Sequence, residues 1–276
     1  VLRVGVTSPD YPPIDITTGG TELEGATADY LGLLATALNI RVVVRSYSNR
    51  EVAVEALATG EIDMLSRSTG YESNRPGISL SSVYFPNQPV IVGPETTQLG
   101  GDVRLAGMRV AMVDDYMAHD MIQKQYPDAY ITYFGSVRRA VEAVHLGQAD
   151  LFIGDAFTAQ YVISQEYLHN LKILQYTDIR AVGFGFAIAA DNPTLLRIVD
   201  GVLHVIPADV RSGIRQRWSS GGANSLTSRS LQLTRQEQSW LERNPAARIV
   251  VDETLVPLSF FDSAGNFRGI TADLLD

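Results

Sequence analysis

The chain has 276 residues, 45% hydrophobic and 19% charged, with 31 Asp plus Glu against 22 Lys plus Arg and a formal net charge of -9. That length holds one large or two medium domains, and the acidic balance argues against nucleic acid, whose phosphates need a basic face. No apolar run approaches the roughly 18 to 20 residues of a membrane helix. Cysteine is absent and no two of the four histidines stand three to five residues apart, which excludes thiol chemistry, disulfides and a local metal-ligand pair.

In chain order, Leu2–Val6 is predicted as a strand, followed by the turn Tyr11-Pro12-Pro13-Ile14 and a helix from about Thr27 to Leu38. Arg41–Arg45, apolar and β-branched, is the next strand. An amphipathic helix around Ala53-Val54-Glu55-Ala56 ends at Gly60, which suits the left-handed position after a helix, and the strand Ile62–Leu65 comes next. The same segment recurs 87 residues later: Ala140-Val141-Glu142-Ala143, then Gly147, Asp150 and the strand Ala149–Ile153. Before that second copy stand a strand at Arg109–Val113, a helix near Met117–Tyr126 and a strand at Tyr130–Tyr133. Helix, glycine and strand make half of a βαβ unit, so the chain reads as two similar α/β lobes, the second inserted after the first.

A second repeat lies at an offset of 244. Pro257 matches Pro13, Gly269-Ile270-Thr271-Ala272-Asp273 matches Gly25-Ala26-Thr27-Ala28-Asp29, and Ala247–Val251 sits beside Leu2–Val6 with one residue of slippage. The last 30 or so residues restart the first 30. Between them, Ser219–Ser230 is rich in Gly, Ser, Thr and Asn, as flexible links are. Leu233–Leu241 then reads as a helix with Thr234 as N-cap, Glu237 three residues on, and Asn244-Pro245 as its stop.

Catalytic signatures are scarce. There is no G-x-S-x-G elbow, no phosphate loop and no H-E-x-x-H. Gly183–Ala189 carries two glycines of a dinucleotide fingerprint, but the residues after Gly185 alternate as a strand where the fingerprint needs a helix, so these glycines read as a hinge or a close packing site. Three loops hold the informative side chains. Tyr11 comes after the first strand, where open α/β sheets bind ligands, or else caps the core. Ser66–Arg75 packs Arg67, Arg75 and several hydroxyls into ten residues, either as a carboxylate anchor or as a solvated loop. Asp155, at the equivalent strand end of the second lobe, either faces a ligand ammonium or caps the next helix.

With those residues named, the chain resembles family-3 periplasmic solute-binding proteins, the amino-acid-binding Venus flytrap fold. The resemblance rests on Leu2–Ile16 with its Tyr-Pro-Pro turn, Leu23–Asp29, Leu57–Asp63 followed by Arg75 and Ser82-Val83-Tyr84, Leu105-Ala106-Gly107, Leu146–Asp150 and the helix closing at Trp218. It implies a bilobed α/β fold over 1–218, lobe 1 at about 1–90 and 184–218, lobe 2 at about 91–183, with a hinge near Pro89–Gly93 and Ala181–Gly185. It implies Arg75 on a ligand carboxylate, Asp155 on its amino group and Tyr11 lining the pocket. The candidate ligand-binding set is Tyr11, Ser68, Thr69, Glu72, Arg75, Asp115, Tyr116 and Asp155, with no metal, cofactor or catalysis. Two departures bear on the ligand. Gly70 and Glu72 stand where the family has Thr or Ser, and Asp114-Asp115-Tyr116 replaces its usual Gly-Thr or Gly-Ser. Glu72 and Asp115 should make the cleft net acidic, which admits a cationic or acid-poor ligand, or none, beside an amino-acid-like one.

The tail narrows the resemblance. Tandem flytraps joined by a Thr-x-x-Glu-x-x-Trp-Leu helix and a Pro are similar to the periplasmic part of BvgS/EvgS-type hybrid sensor histidine kinases, and Thr234, Glu237, Trp240, Leu241 and Pro245 fit that linker. This reading makes 219–246 a linker and 247–276 the truncated start of a second flytrap domain. It places the chain in the periplasm with its parent anchored in the inner membrane, and expects a small-molecule ligand, the second flytrap as intramolecular partner and a dimer in the intact receptor. The alternative is the amino-acid-binding component of an ABC uptake transporter, where a tandem copy is unusual.

Overall fold

The structure is a computed structural model and describes residues 1–18, 22–72, 75–99, 105–219, 243, 250, 252, 254–262 and 265–275. The chain divides into two compact units, Val1–Ser228 and Arg229–Asp276.

The first unit holds two five-stranded sheets. One is built from β1(Leu2–Thr7), β4(Val42–Tyr47), β5(Met64–Ser68), β6(Ile78–Leu80) and β12(Gly185–Ala189), in the order β4-β1-β5-β12-β6. The first three are parallel; β12 returns antiparallel to both β5 and β6. The helices α1(Ala26–Leu38) and α2(Arg50–Ala58) supply the crossovers, and α6(Pro193–Val205) and α7(Ala208–Ser219) close this lobe. A hairpin of β2(Ile16–Thr18) and β3(Glu22–Glu24) leads into α1. The other sheet has the order β11-β7-β10-β8-β9, from β7(Pro89–Pro94), β8(Arg109–Val113), β9(Tyr130–Phe134), β10(Leu151–Asp155) and β11(Leu171–Tyr176). Here β9, β8 and β10 are parallel, while β7 runs antiparallel to β10 and β11. α3(His119–Gln125), α4(Val137–His145) and α5(Ala156–Gln165) connect them.

The repeat at offset 87 is a repeat of physical devices. Asn49 caps α2 by accepting from Val52 N, and Ser136 caps α4 by accepting from Arg139 N. Gly60 and Gly147 take φ of 73° and 70° after their helices. Asp63 and Asp150 each accept from the backbone N–H of the arginine opening the neighbouring strand, Arg3 at 2.7 Å and Arg109 at 2.8 Å, and each pairs with its guanidinium at 2.6 Å. One position departs: where lobe 2 buries Val137, lobe 1 buries Arg50.

The chain passes between lobes twice. Phe85 and Phe184, both fully buried, exchange backbone hydrogen bonds at 3.2 and 2.8 Å and pin the two passages together. The first passage is therefore Tyr84–Gln88. The segment Pro89–Gly93, expected as hinge, is instead β7, paired on both edges in the second sheet. Its unbroken apolar run cannot separate a hinge from a central strand by composition.

In the second unit, β13(Thr254–Leu255), β14(Ser259–Phe261) and β15(Phe267–Arg268) form a three-stranded sheet that runs into α8(Ile270–Leu275). Its register repeats the opening of the first unit: Leu255 pairs with Ser259 as Tyr11 with Asp15, and Phe260 with Arg268 as Ile16 with Glu24. Thr271 N donates to Leu258 O at 2.9 Å, as Thr27 N does to Ile14 O at 3.0 Å. Gly25 and Gly269 share φ of 101° and 106°, and a Cβ on either would meet a carbonyl oxygen at 2.4 or 2.6 Å, so only glycine fits either turn. The linker helix, with Thr234, Glu237, Trp240, Leu241 and Pro245, lies outside the described residues.

Candidate functional site

The sequence places Ser66–Ser68 in a loop; in the structure they are the last three residues of β5 and fully buried. Buried polar groups are costly without partners, and Arg50 supplies them to Ser66 and Ser68. Its guanidinium donates to Glu72 Oε1, to the Ser66 carbonyl at 2.9 Å and to Ser68 Oγ at 2.8 Å. Glu72 also accepts from Thr69 N at 2.9 Å. Ser68 and Glu72 thus hold the shape of the β5 end and belong with Arg50, a residue the motifs did not single out. Its signal was the mismatch with Val137 at the repeat offset.

That framework presents Arg67, whose φ of 48° is left-handed and rare for a long side chain. Arg67 is 3% exposed. Its guanidinium lies over the Tyr11 ring, 4.3 Å from the centroid, an arrangement worth about 2 kcal/mol when desolvated. Nη2 donates to Asp115 Oδ2 across the cleft at 2.7 Å and to Thr7 Oγ1 in its own lobe at 3.2 Å. Nε stands 4.0 Å from Asp15 Oδ2, which accepts from Ser66 Oγ at 2.6 Å. Burial alone pushes the Asp115 carboxyl up, and the Arg67 guanidinium more than reverses this, leaving it below its ordinary 3.8. Burial likewise works against the Arg67 charge, and Asp115 outweighs it, so the guanidinium is held more firmly protonated than usual.

Further contacts join the lobes beside this pair. Thr69 Oγ1 donates to the Tyr116 carbonyl at 3.1 Å. The Tyr116 hydroxyl donates to Asn87 Oδ1 at 2.7 Å, and Asn87 Nδ2 donates to the Val182 carbonyl at 3.1 Å, tying both passages to the second lobe. Burial pushes both Tyr11 and Tyr116 well above the ordinary tyrosine range, so both stay neutral.

The structure thus brings together Tyr11, Thr69, Asp115 and Tyr116. Arg75 goes elsewhere: both its terminal nitrogens pair with Glu51, and it lies over the Tyr71 ring at 4.7 Å. Asp155 is the N-cap of α5, with Oδ2 accepting from Thr158 N at 3.0 Å and Thr158 Oγ1 at 2.9 Å, and Oδ1 accepting from Gln88 N at 2.9 Å. Burial raises its carboxyl above 3.8 despite those donors. Glu72 and Asp115 each face a buried arginine, which offsets part of the expected acidity, while Asp15 shares Arg67 with Asp115 and leaves one carboxylate in excess there. Two cavities flank the pair. One of about 440 Å³ is lined by Gly70, Asn87, Tyr116, Met121, Lys124 and Arg180 among others. One of about 370 Å³ lies between the 9–16 turn and Arg138, Tyr161 and Glu166. Tyr11, Arg67 and Asp115 line neither of these two cavities.

Known proteins share this sequence and fold. The chain is 36% identical over 275 residues to the virulence sensor protein BvgS of Bordetella bronchiseptica, covering 100% of this chain and 22% of that protein. It therefore spans about a fifth of the length of that relative. The crystal structure of the B. pertussis BvgS periplasmic domain superposes with a TM-score of 0.71 at 35% identity, over 99% of this chain and 53% of that one. The substrate-binding protein of an amino acid ABC transporter shares the fold with a TM-score of 0.66 at 20% identity, over 79% of this chain and 98% of that one. The fold is that of the Venus flytrap, two mixed α/β lobes about a cleft. The model of the bacterial extracellular solute-binding proteins, family 3, matches residues 2–221, and the chain belongs to that family.

Proposed function

We propose that this chain is the sensory part of a hybrid sensor histidine kinase, working in the periplasm on a parent anchored in the inner membrane. The carrying observation lies beyond residue 221. The family match ends there, yet the match to the virulence sensor runs through all 275 aligned residues. Past that point the structure repeats the cleft-forming turn, hairpin register and helix start of the first unit. An uptake component is a single such domain, as the transporter protein matched over 98% of its own length illustrates. Residues 247–276 are then the start of a second flytrap and 219–246 the linker, with the intact receptor a dimer. Opening and closing of the cleft is the signal passed on through the linker.

An amino-acid-like ligand is a second reading, favoured by the likeness to an amino acid transporter's binding protein. It assigns the ligand carboxylate to Arg75, which must first leave Glu51, and the ammonium to Asp155. Calorimetry with the common amino acids on the native chain and on Arg75→Ala tests it: binding by the first and not the second supports it.

The sensor reading is tested in the whole protein. The chain has no cysteine of its own, and in a whole protein freed of other accessible cysteines, Gly70→Cys with Met121→Cys, which line one cavity from the two lobes, can be bridged by a short bifunctional reagent. Bridging is expected to fix autophosphorylation at one level, with either single variant unaffected by the reagent. Autophosphorylation that stays fully responsive after bridging overturns the proposal.

A further inference from the structure

The centre of the cleft is built like a recognition site for a planar cation. A neutral aromatic face from Tyr11 lies 4.3 Å below the guanidinium, and carboxylates stand at its edge from both lobes, Asp115 at 2.7 Å and Asp15 at 4.0 Å. Thr7 adds a hydroxyl acceptor at 3.2 Å. Two carboxylates around one guanidinium leave a local excess of negative charge, and aromatic face plus planar fork is the geometry that distinguishes guanidinium from a spherical ammonium. The occupant is Arg67, delivered from a backbone in the left-handed region that no glycine relieves. It fits the site incompletely: Arg67 Nε and Asp15 Oδ1 are both buried without a hydrogen-bond partner among the described residues. A free cation, not tied to a strained strand end, could turn in the plane and meet both acids.

We propose that the cleft centre is a guanidinium-class cation site whose resident occupant is Arg67, a side chain standing in for a ligand and joining the two lobes as a ligand would. When Arg67 is withdrawn, the site accepts a free guanidinium or amidinium compound. The inference rests on the sensor reading only for what cleft opening achieves; the site itself is tested without any kinase.

The experiment uses the 276-residue chain, Arg67→Ala, and guanidinium chloride as probe, with urea as the neutral planar control. Solution scattering is expected to show a larger radius of gyration for Arg67→Ala than for the native chain. Guanidinium on the order of millimolar, a weak affinity because a small free cation brings few contacts of its own, should restore the native radius where urea does not. Calorimetry should show that Arg67→Ala/Asp115→Asn binds guanidinium at least about tenfold more weakly than Arg67→Ala. If Arg67→Ala does not fold, Asp115→Asn in the otherwise native chain carries the test, with an increased radius expected and none overturning the proposal. An unchanged radius in Arg67→Ala, a response to guanidinium no different from urea, or equal binding with and without Asp115 would also overturn it. Autophosphorylation that stays fully responsive after the lobes are bridged, with an intact guanidinium effect, would count against the sensor reading alone.

Discussion

Replacing Arg50 by methionine is expected to be the most damaging single change in the first lobe that touches no ligand contact. Arg50 and Glu72 are 4% and 1% exposed in their side chains, so neither charge has water to fall back on. The substitution keeps most of the aliphatic stem but leaves Glu72 with only the Thr69 N–H among the described residues, and it strips a donor from the Ser66 carbonyl and from Ser68 Oγ. Removing one partner of a buried pair costs about 3 to 5 kcal/mol, a large share of the roughly 5 to 15 kcal/mol that holds a domain together. Chemical denaturation of the chain at neutral pH, followed by circular dichroism, should show a loss of about 4 kcal/mol at an unchanged slope. The second arm of the cycle separates charge from packing. Arg50→Met/Glu72→Gln no longer strands a carboxylate and should recover about 2 kcal/mol relative to Arg50→Met alone. A loss under about 1 kcal/mol for Arg50→Met, or no recovery in the double variant, would refute this account of the pair.

Two aspartates at the cleft should titrate with opposite signs. Asp115 has its carboxyl below 3.8 in the folded chain, so the folded state binds fewer protons than the unfolded one between the two values. The stabilisation it brings is present above about 3.8 and is lost as the pH falls through the folded value, and Asp115→Asn should flatten that acid limb in unfolding measured across pH. Asp155 is raised, so ionising it costs the folded state; stability should fall as pH rises from 3.8 through its folded value, and Asp155→Asn should remove that decline while keeping the cap. Gly25→Ala places a Cβ 2.4 Å from the Ile14 carbonyl at φ 101° and should lose about 2 kcal/mol or more in thermal unfolding. Gly32→Ala, with open space inside α1, should gain about 0.5 to 1 kcal/mol in the same assay.

The architecture was legible because its devices are local and repeated. Asn49 with Gly60 and Ser136 with Gly147 mark the same helix twice, and Gly25 with Gly269 marks the same turn. Strand limits near polar residues were not legible. β5 extends through Ser66, Arg67 and Ser68 because Arg50, 16 residues upstream of Ser66, satisfies the Ser66 carbonyl and the Ser68 hydroxyl, and no local pattern announces a partner at that distance. The cleft was half legible for the same reason. Tyr11, Thr69, Asp115 and Tyr116 stand at strand ends where the fold puts ligands. Which of Arg67 and Arg75 lies inside depends on Glu51, a helix residue that takes Arg75 away. Asp155 was readable both as N-cap and as ligand contact, since a carboxylate at a strand end before a helix serves either purpose from the same position.

Asp115 and Tyr116 are neighbours in sequence, and they receive two cross-lobe bonds from Arg67 and Thr69, which flank Ser68 at a single strand end. A separation of the two lobes stretches both bonds together, because each pair of anchors sits on one short stretch of backbone. The two contacts therefore act as one clasp between the lobes, so that loosening either weakens the hold of both. Three side chains, Arg67, Thr69 and Asp115, make that clasp together with the Tyr116 backbone carbonyl, so a single substitution at any of the three is enough to alter how firmly the lobes are held.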